Sequence, residues 1–219
     1  MNRHNYLNTV AGLVGLLSAG QALAGIIIDT SPGTAAPPDT LGGYSMVPFS
    51  ADPTAEGTMI TSLTPPAGAA VTGDLTFSAA VEHDMVGSWW STWSHGYTGD
   101  AYYNDGYKLN LSLPDGTLAF YLYIEPNLKG DFRFAVTTES AVATSITING
   151  NAGARYVGVY SDDPMDSVTF VFVKNAAEDA DGFAVGEFGI NGVVPEPTTW
   201  SLVGGVGLGL FALVRKVRG

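Results

Sequence analysis

An all-β fold, an antiparallel β-sandwich with a jelly-roll-like arrangement of two packed sheets, is what this 219-residue sequence predicts. Three observations carry that expectation. Between residues 25 and 193 there are about nine to eleven short runs of β-forming residues, the clearest with apolar and polar positions alternating. Gly, Pro, Asn and Asp punctuate those runs at regular intervals. No window longer than ten residues in this span keeps a helical period, and no internal repeat of fixed length appears.

Ile26, Ile27 and Ile28 open the span as a β-branched strand. Ser31 to Pro38 holds three prolines and a glycine, and no regular element is expected there. Leu41 to Glu56 is mixed, with Tyr44, Val47 and Phe49 suggesting one irregular edge strand. Thr58 to Leu63 is a further strand, stopped by Pro65 and Pro66. Asp74 to Val81 follows, with Leu75, Phe77 and Ala79 alternating against Thr76 and Ser78.

Tyr107 to Leu113 alternates cleanly, as a half-buried strand does. Pro114-Asp115-Gly116 then reads as a turn, since proline presets φ and Asp-Gly tolerates left-handed backbone. Thr117 to Ile124 returns with Leu118, Phe120, Leu122 and Ile124 on one face and Ala119, Tyr121 and Tyr123 on the other. Both faces should be covered or turned to a ligand, and the two strands read as a hairpin. Asp131 to Thr138, Ser145 to Ile148, Arg155 to Tyr160, Ser167 to Lys174 and Gly182 to Ile190 complete the set.

Helices are expected only at the two ends. Arg3 and His4 precede an apolar run from Val10 to Leu17, and Ala22-Leu23-Ala24 has the small-x-small pattern of a signal peptidase site. Residues 1–24 therefore read as a secretory signal peptide cleaved after Ala24, an N-terminal core helix being the competing reading. Residues 194–219 form a separate unit: Pro195-Glu196-Pro197, then an apolar, glycine-rich run from Trp200 to Val214, then Arg215, Lys216 and Arg218. Pro-x-Pro is an extended break that a processing enzyme can grip. The run, counted from Thr198, gives roughly 25 Å of helix, near the lower limit for one transmembrane crossing. The basic end anchors it on the cytoplasmic side. Gly205 and Gly209 have a helix-pairing spacing that is cheap to obtain by chance in so glycine-rich a run.

The tail closely resembles the PEP-CTERM sorting signal of Gram-negative bacteria, which a membrane-embedded exosortase recognises and cleaves. That resemblance implies that Pro195, Glu196 and Pro197 are the sorting motif and that the chain is an exosortase substrate, first exported by the secretion machinery. It implies an inner-membrane-tethered precursor that ends at the cell surface or in the extracellular matrix. Association with exopolysaccharide and biofilm follows from the same resemblance, and with it a non-catalytic structural or adhesive role. The stretches TWSHGYTGDAYYNDG, LSLPDGTLAFYLYIEPN and FAVGEFGI also look like a recurrent ectodomain of such proteins, which supports the fold and names no ligand.

Residues 25–193 are long enough to bury a core without staples, so the lack of cysteine does not weaken an exported domain. It argues against Cys-ligated zinc and a thiol nucleophile. Five basic and 20 acidic residues fall in this span, a net charge near −15, which disfavours nucleic acid and anionic membrane surfaces as partners. The acids suit a solvated surface or a structural calcium ion. Asp162, Asp163 and Asp166 are the candidate ligands, with Glu178, Asp179 and Asp181 as a second group, although neither has EF-hand spacing.

Ser88 to Asp105 concentrates Trp89, Trp90, Trp93, His95, Tyr97, Tyr102 and Tyr103 in what reads as a loop. Flat aromatic faces suit the C–H surface of sugars, and the neighbouring Ser, Asn and Asp suit hydroxyls. A carbohydrate-binding module using Trp93, Tyr97 and Tyr103 is therefore the alternative role, with a core-plugging role competing for some of these rings. Enzymatic signals are sparse, and no catalysis is expected. Glu82, His83 and Asp84 are strand neighbours pointing to opposite faces, and His95 near Asp100 offers at most a base–orienter pair. There is no Gly-x-Ser-x-Gly elbow or His-Glu-x-x-His. A glycan-active hydrolase remains the least favoured reading, its paired carboxylates being a spatial signal.

Overall fold

The computed structural model describes residues 25–140, 142–173 and 182–193. Ala22 and Ala24, the acidic Glu178, Asp179 and Asp181, and the whole tail with Pro195, Glu196, Pro197, Arg215, Lys216 and Arg218 lie outside the described residues. Among the described residues there are only strands and turns, and no helix long and apolar enough to cross a membrane.

The described residues are all-β, and every ladder between their strands is antiparallel. In order the strands are β1 (Ile27–Asp29), β2 (Thr40–Leu41), β3 (Tyr44–Ser45), β4 (Val47–Pro48), β5 (Thr58–Leu63), β6 (Leu75–Met85) and β7 (Asp100–Asn104). Then come β8 (Lys108–Ser112), β9 (Thr117–Pro126), β10 (Asp131–Thr138), β11 (Ala143–Asn149), β12 (Arg155–Tyr160), β13 (Ser167–Val173) and β14 (Phe183–Gly192). Twelve of them share one sheet, ordered β1-β12-β9-β14-β7-β6-β8-β13-β10-β11, with β4 added to β14 and β5 to β6. β2 and β3 pair only with each other.

In place of two separate packed sheets, this single sheet curls until it is nearly closed into a barrel. β6 is the corner: Thr76 and Phe77 pair with β8, while Glu82 to Met85 pair with β7. A long strand that changes partners along its length lets one sheet fold over on itself. The inner faces then meet. Phe132, Phe134 and Val136 of β10, with Phe170 and Phe172 of β13, share one core with Phe120, Leu122 and Ile124 of β9 and Phe183 and Val185 of β14. Phe134 meets Phe183 edge to face at 5.4 Å across the interior. Each such fully buried side chain contributes about 1.5–3 kcal/mol.

β9 is buried along all ten residues. Its second face carries Ala119, Tyr121 and Tyr123, which pack with Tyr156 under Leu41, Tyr44 and Met46. The segment expected to hold one irregular edge strand is thus three two-residue pieces, two of which form a cover over the outer face of β9 and β12.

Two expectations are corrected. β8 and β9 are not a hairpin, because β8 pairs with β6 and β13 while β9 pairs with β12 and β14. Leu109 and Leu111 face Phe120 and Leu122 through the core, so Pro114-Asp115-Gly116 is an arch from one layer to the other. The Pro114 carbonyl accepts from the Thr117 N–H (3.2 Å) and hydroxyl (2.6 Å), and Gly116 takes φ +86°, a left-handed value suited to glycine. The second correction is β7, a strand inside the stretch read as a loop. It lies between β6 and β14 with four of five residues buried, so it carries no alternation to announce it.

Candidate functional site

The aromatic stretch is built on a tight turn at the end of β6. Trp90 N–H and Ser88 N–H both donate to the Met85 carbonyl, at 3.4 and 3.1 Å, and Gly87 N–H donates to the Trp90 carbonyl at 2.7 Å. Glu56 fastens the turn from outside, accepting from the Met85 N–H (3.0 Å) and the Ser88 hydroxyl (3.3 Å). Two adjacent tryptophans on such a turn cannot both point inward. Trp90 is 7% exposed and packs near Tyr103 at 5.9 Å, whereas Trp89 is 73% exposed.

Glu125 of β9 locks the arrangement from below. Its two carboxylate oxygens accept the Trp90 indole N–H at 2.8 Å and the Thr92 hydroxyl at 2.6 Å. The residue is 1% exposed. Burial raises its pKa, and the hydrogen bonds from Thr92 and Trp90 work against that rise.

Between this loop and the ends of β9 and β11 lies an open cleft of about 320 Å³. Trp89, Trp90, Ser91 and Thr92 form one wall, and Pro126, Asn127, Lys129, Gly150 and Asn151 form the other. The second wall is held by its own turn: Gly150 N–H donates to the Gly130 carbonyl (2.8 Å), and Asn151 N–H to Asn149 Oδ1 (2.9 Å). An exposed indole beside hydroxyls, amides and one ammonium, in a cleft of this size, suits a ring that is apolar on its faces and polar at its edge.

Trp93, Tyr97 and Tyr103, the expected platform, are all half-buried, and none lines this cleft. Trp93 donates its indole N–H to Glu187 Oε2 at 3.1 Å and lies 6.0 Å from the Tyr97 ring. Tyr97 donates its hydroxyl to the Asp100 carbonyl at 3.2 Å. Tyr103 instead packs beside Trp90. The backbone passes close beneath this group. Gly153 has φ +88°, and a Cβ there would lie 2.5 Å from the Trp93 carbonyl oxygen.

The His95–Asp100 pairing is also corrected. His95 pairs with Glu187 at 3.0 Å, and Asp100 pairs with the buried His83 at 2.8 Å. Asp100 Oδ2 additionally accepts from the Asp52 N–H at 3.0 Å, and Asp52 accepts from the Tyr102 hydroxyl at 3.2 Å. Burial works to lower the His83 pKa, but the hydrogen bond and charge of Asp100, with the charge of Asp52, outweigh it and raise it. Burial raises Glu187 despite His95 and Trp93. These contacts fasten loops to β6, β7 and β14.

Asp162, Asp163 and Asp166 are exposed. Among the described residues no group of three or more His, Asp or Glu side chains is placed to hold a metal ion.

No family model and no curated protein matches this chain. Among solved structures, the family 11 carbohydrate-binding module of the cellulosomal cellulase Lic26A-Cel5E of Clostridium thermocellum is similar at 18% identity. The likeness covers 64% of this chain and 97% of that one, with a TM-score of 0.27. At that degree of superposition it bears on neither ligand nor site.

Proposed function

We propose that this chain is an exported, non-catalytic surface or extracellular-matrix protein whose β-domain holds a glycan in the Trp89 cleft. The observation that carries the reading is Trp89 itself. Its indole is 73% exposed at the lip of a polar cleft, on a turn held rigidly by Glu56 and Glu125. A flat indole face held at the edge of a cleft lined by hydroxyls and amides suits stacking against a sugar ring whose hydroxyls reach those polar groups. The facing layers of the sheet support a jelly-roll-like β-sandwich as the scaffold.

Export rests on the two ends of the sequence. The run from Val10 to Leu17 with Ala22 and Ala24 supports signal peptidase cleavage. Pro195-Glu196-Pro197 with the basic Arg215, Lys216 and Arg218 supports exosortase processing of a membrane-tethered precursor. A second reading, a matrix protein acting by self-association alone, is favoured by β11, a terminal strand of the sheet without a charged residue.

The test is a binding isotherm of the full-length chain, in mild detergent, on exopolysaccharide purified from the producing bacterium. Saturable binding that Trp89→Ala abolishes supports the glycan site. Binding by neither protein, or equally by both, would refute it.

A further inference from the structure

We infer that the Trp89 cleft selects an acidic sugar, a carboxylate-bearing residue such as a uronic acid, with Lys129 pairing the carboxylate while Trp89 covers the ring. This rests on the reading of the cleft as a glycan site and adds the class of glycan.

Charge distribution is the ground for it. Acids outnumber bases by four to one between residues 25 and 193, where there are 20 of the former and five of the latter. Yet, among the described residues, the nine lining the cleft include no carboxylate and one cation. Lys129 is exposed, and its ammonium makes no hydrogen bond or ion pair among the described residues. The two arginines are used elsewhere: Arg133 donates to Ser145 Oγ at 2.9 Å, and Arg155 to the Thr147 carbonyl at 3.0 Å. The acids nearest in sequence are occupied as well. Glu125 lies beneath the cleft with both oxygens accepting, and Asp131 accepts from the Asn149 amide at 2.7 Å.

The negative field of the rest of the domain does not forbid such a ligand. Beyond about 8 Å, exposed charges are largely screened at physiological ionic strength. With Lys129 as the one cation of the lining, the site takes one acidic residue of a chain and is not a polyanion track.

The experiment uses three probes of different linkage, polygalacturonate, alginate and hyaluronate, each beside its carboxyl-reduced form, in which CH₂OH replaces the carboxylate. Affinities for the full-length chain and for Lys129→Gln, Lys129→Arg and Trp89→Ala are measured at physiological salt. Lys129 and Trp89 are surface positions, and circular dichroism confirms that each variant is folded. At least one acidic polymer is expected to bind about three- to fivefold more tightly than its reduced form, the range of one exposed charge pair. Lys129→Gln should erase that preference, Lys129→Arg should retain it, and Trp89→Ala should lose both forms. Equal affinity for acidic and reduced forms would overturn the acid selectivity and leave the glycan site standing. Failure of every polymer, acidic and reduced, would overturn both.

Discussion

Glu125 accepts the indole N–H of Trp90 at 2.8 Å from a position that is almost wholly out of solvent. A buried carboxylate with both oxygens engaged is a structural anchor, and here it decides which of two adjacent tryptophans goes inward. Glu125→Ala leaves the Trp90 N–H and the Thr92 hydroxyl without their acceptor. The expected loss is about 2–4 kcal/mol of unfolding free energy in urea. A loss below about 0.5 kcal/mol would show that Glu125 is not an anchor.

Trp89 and Trp90 should respond oppositely to the same change. Trp90→Ala empties a buried site and is expected to cost about 3–5 kcal/mol. Trp89→Ala removes an exposed ring and should leave stability within about 0.5 kcal/mol. Comparable losses at the two positions would mean that Trp89 is packed and not displayed.

Gly153 tests how closely the backbone supports the aromatic loop. Its φ is +88°, and a methyl group at this position would come within 2.5 Å of the Trp93 carbonyl oxygen, which leaves no room for a side chain. Gly153→Ala should therefore destabilise the fold by about 1–3 kcal/mol through backbone strain. An unchanged thermal midpoint would contradict that geometry.

Stability should rise on mild acidification. Burial raises the carboxyls of Glu125, Glu187 and Asp84, the last helped by the charges of Glu82 and Glu56. His83 is raised as well, its Asp100 and Asp52 contacts overcoming burial. A group whose folded pKa exceeds its unfolded value contributes stability that is full below the unfolded pKa and lost as pH rises through the folded one. The His83 contribution is thus lost above about pH 6.5, and the carboxyl contributions are lost above about pH 4. Asp52 runs the other way: burial opposes but hydrogen bonds to Thr54 prevail, so its contribution is lost below about pH 4. Thermal midpoints should increase from about pH 8 to about pH 5, and His83→Gln should flatten the upper part of that rise. A midpoint that falls steadily over this range would contradict the assignment.

The sequence made some of this legible and concealed the rest for physical reasons. Phe132, Phe134 and Val136 alternate because one face of β10 is buried and the other wet, and Thr58–Leu63, Asp131–Thr138 and Arg155–Tyr160 were readable to the residue. β7 was not, since covering both faces erases the alternation. The arch at Pro114-Asp115-Gly116 looks like a hairpin turn in sequence, because apolar faces opposed across a core and side by side in a sheet leave the same pattern. Asp100 sits nearer in sequence to His95 than to His83, and only the β6–β7 register brings it to the latter. Trp89 differs from Trp90 by one position on a turn, a distinction set by Glu125 some 35 residues away.

Tryptophan quenching measures the central claim most directly. Acrylamide should quench the emission of the full-length chain strongly through Trp89 and less once exopolysaccharide saturates it, while Trp89→Ala should show weak quenching that the polymer does not alter. Quenching of the unsubstituted chain that stays the same at saturating polymer would contradict a glycan seated on Trp89.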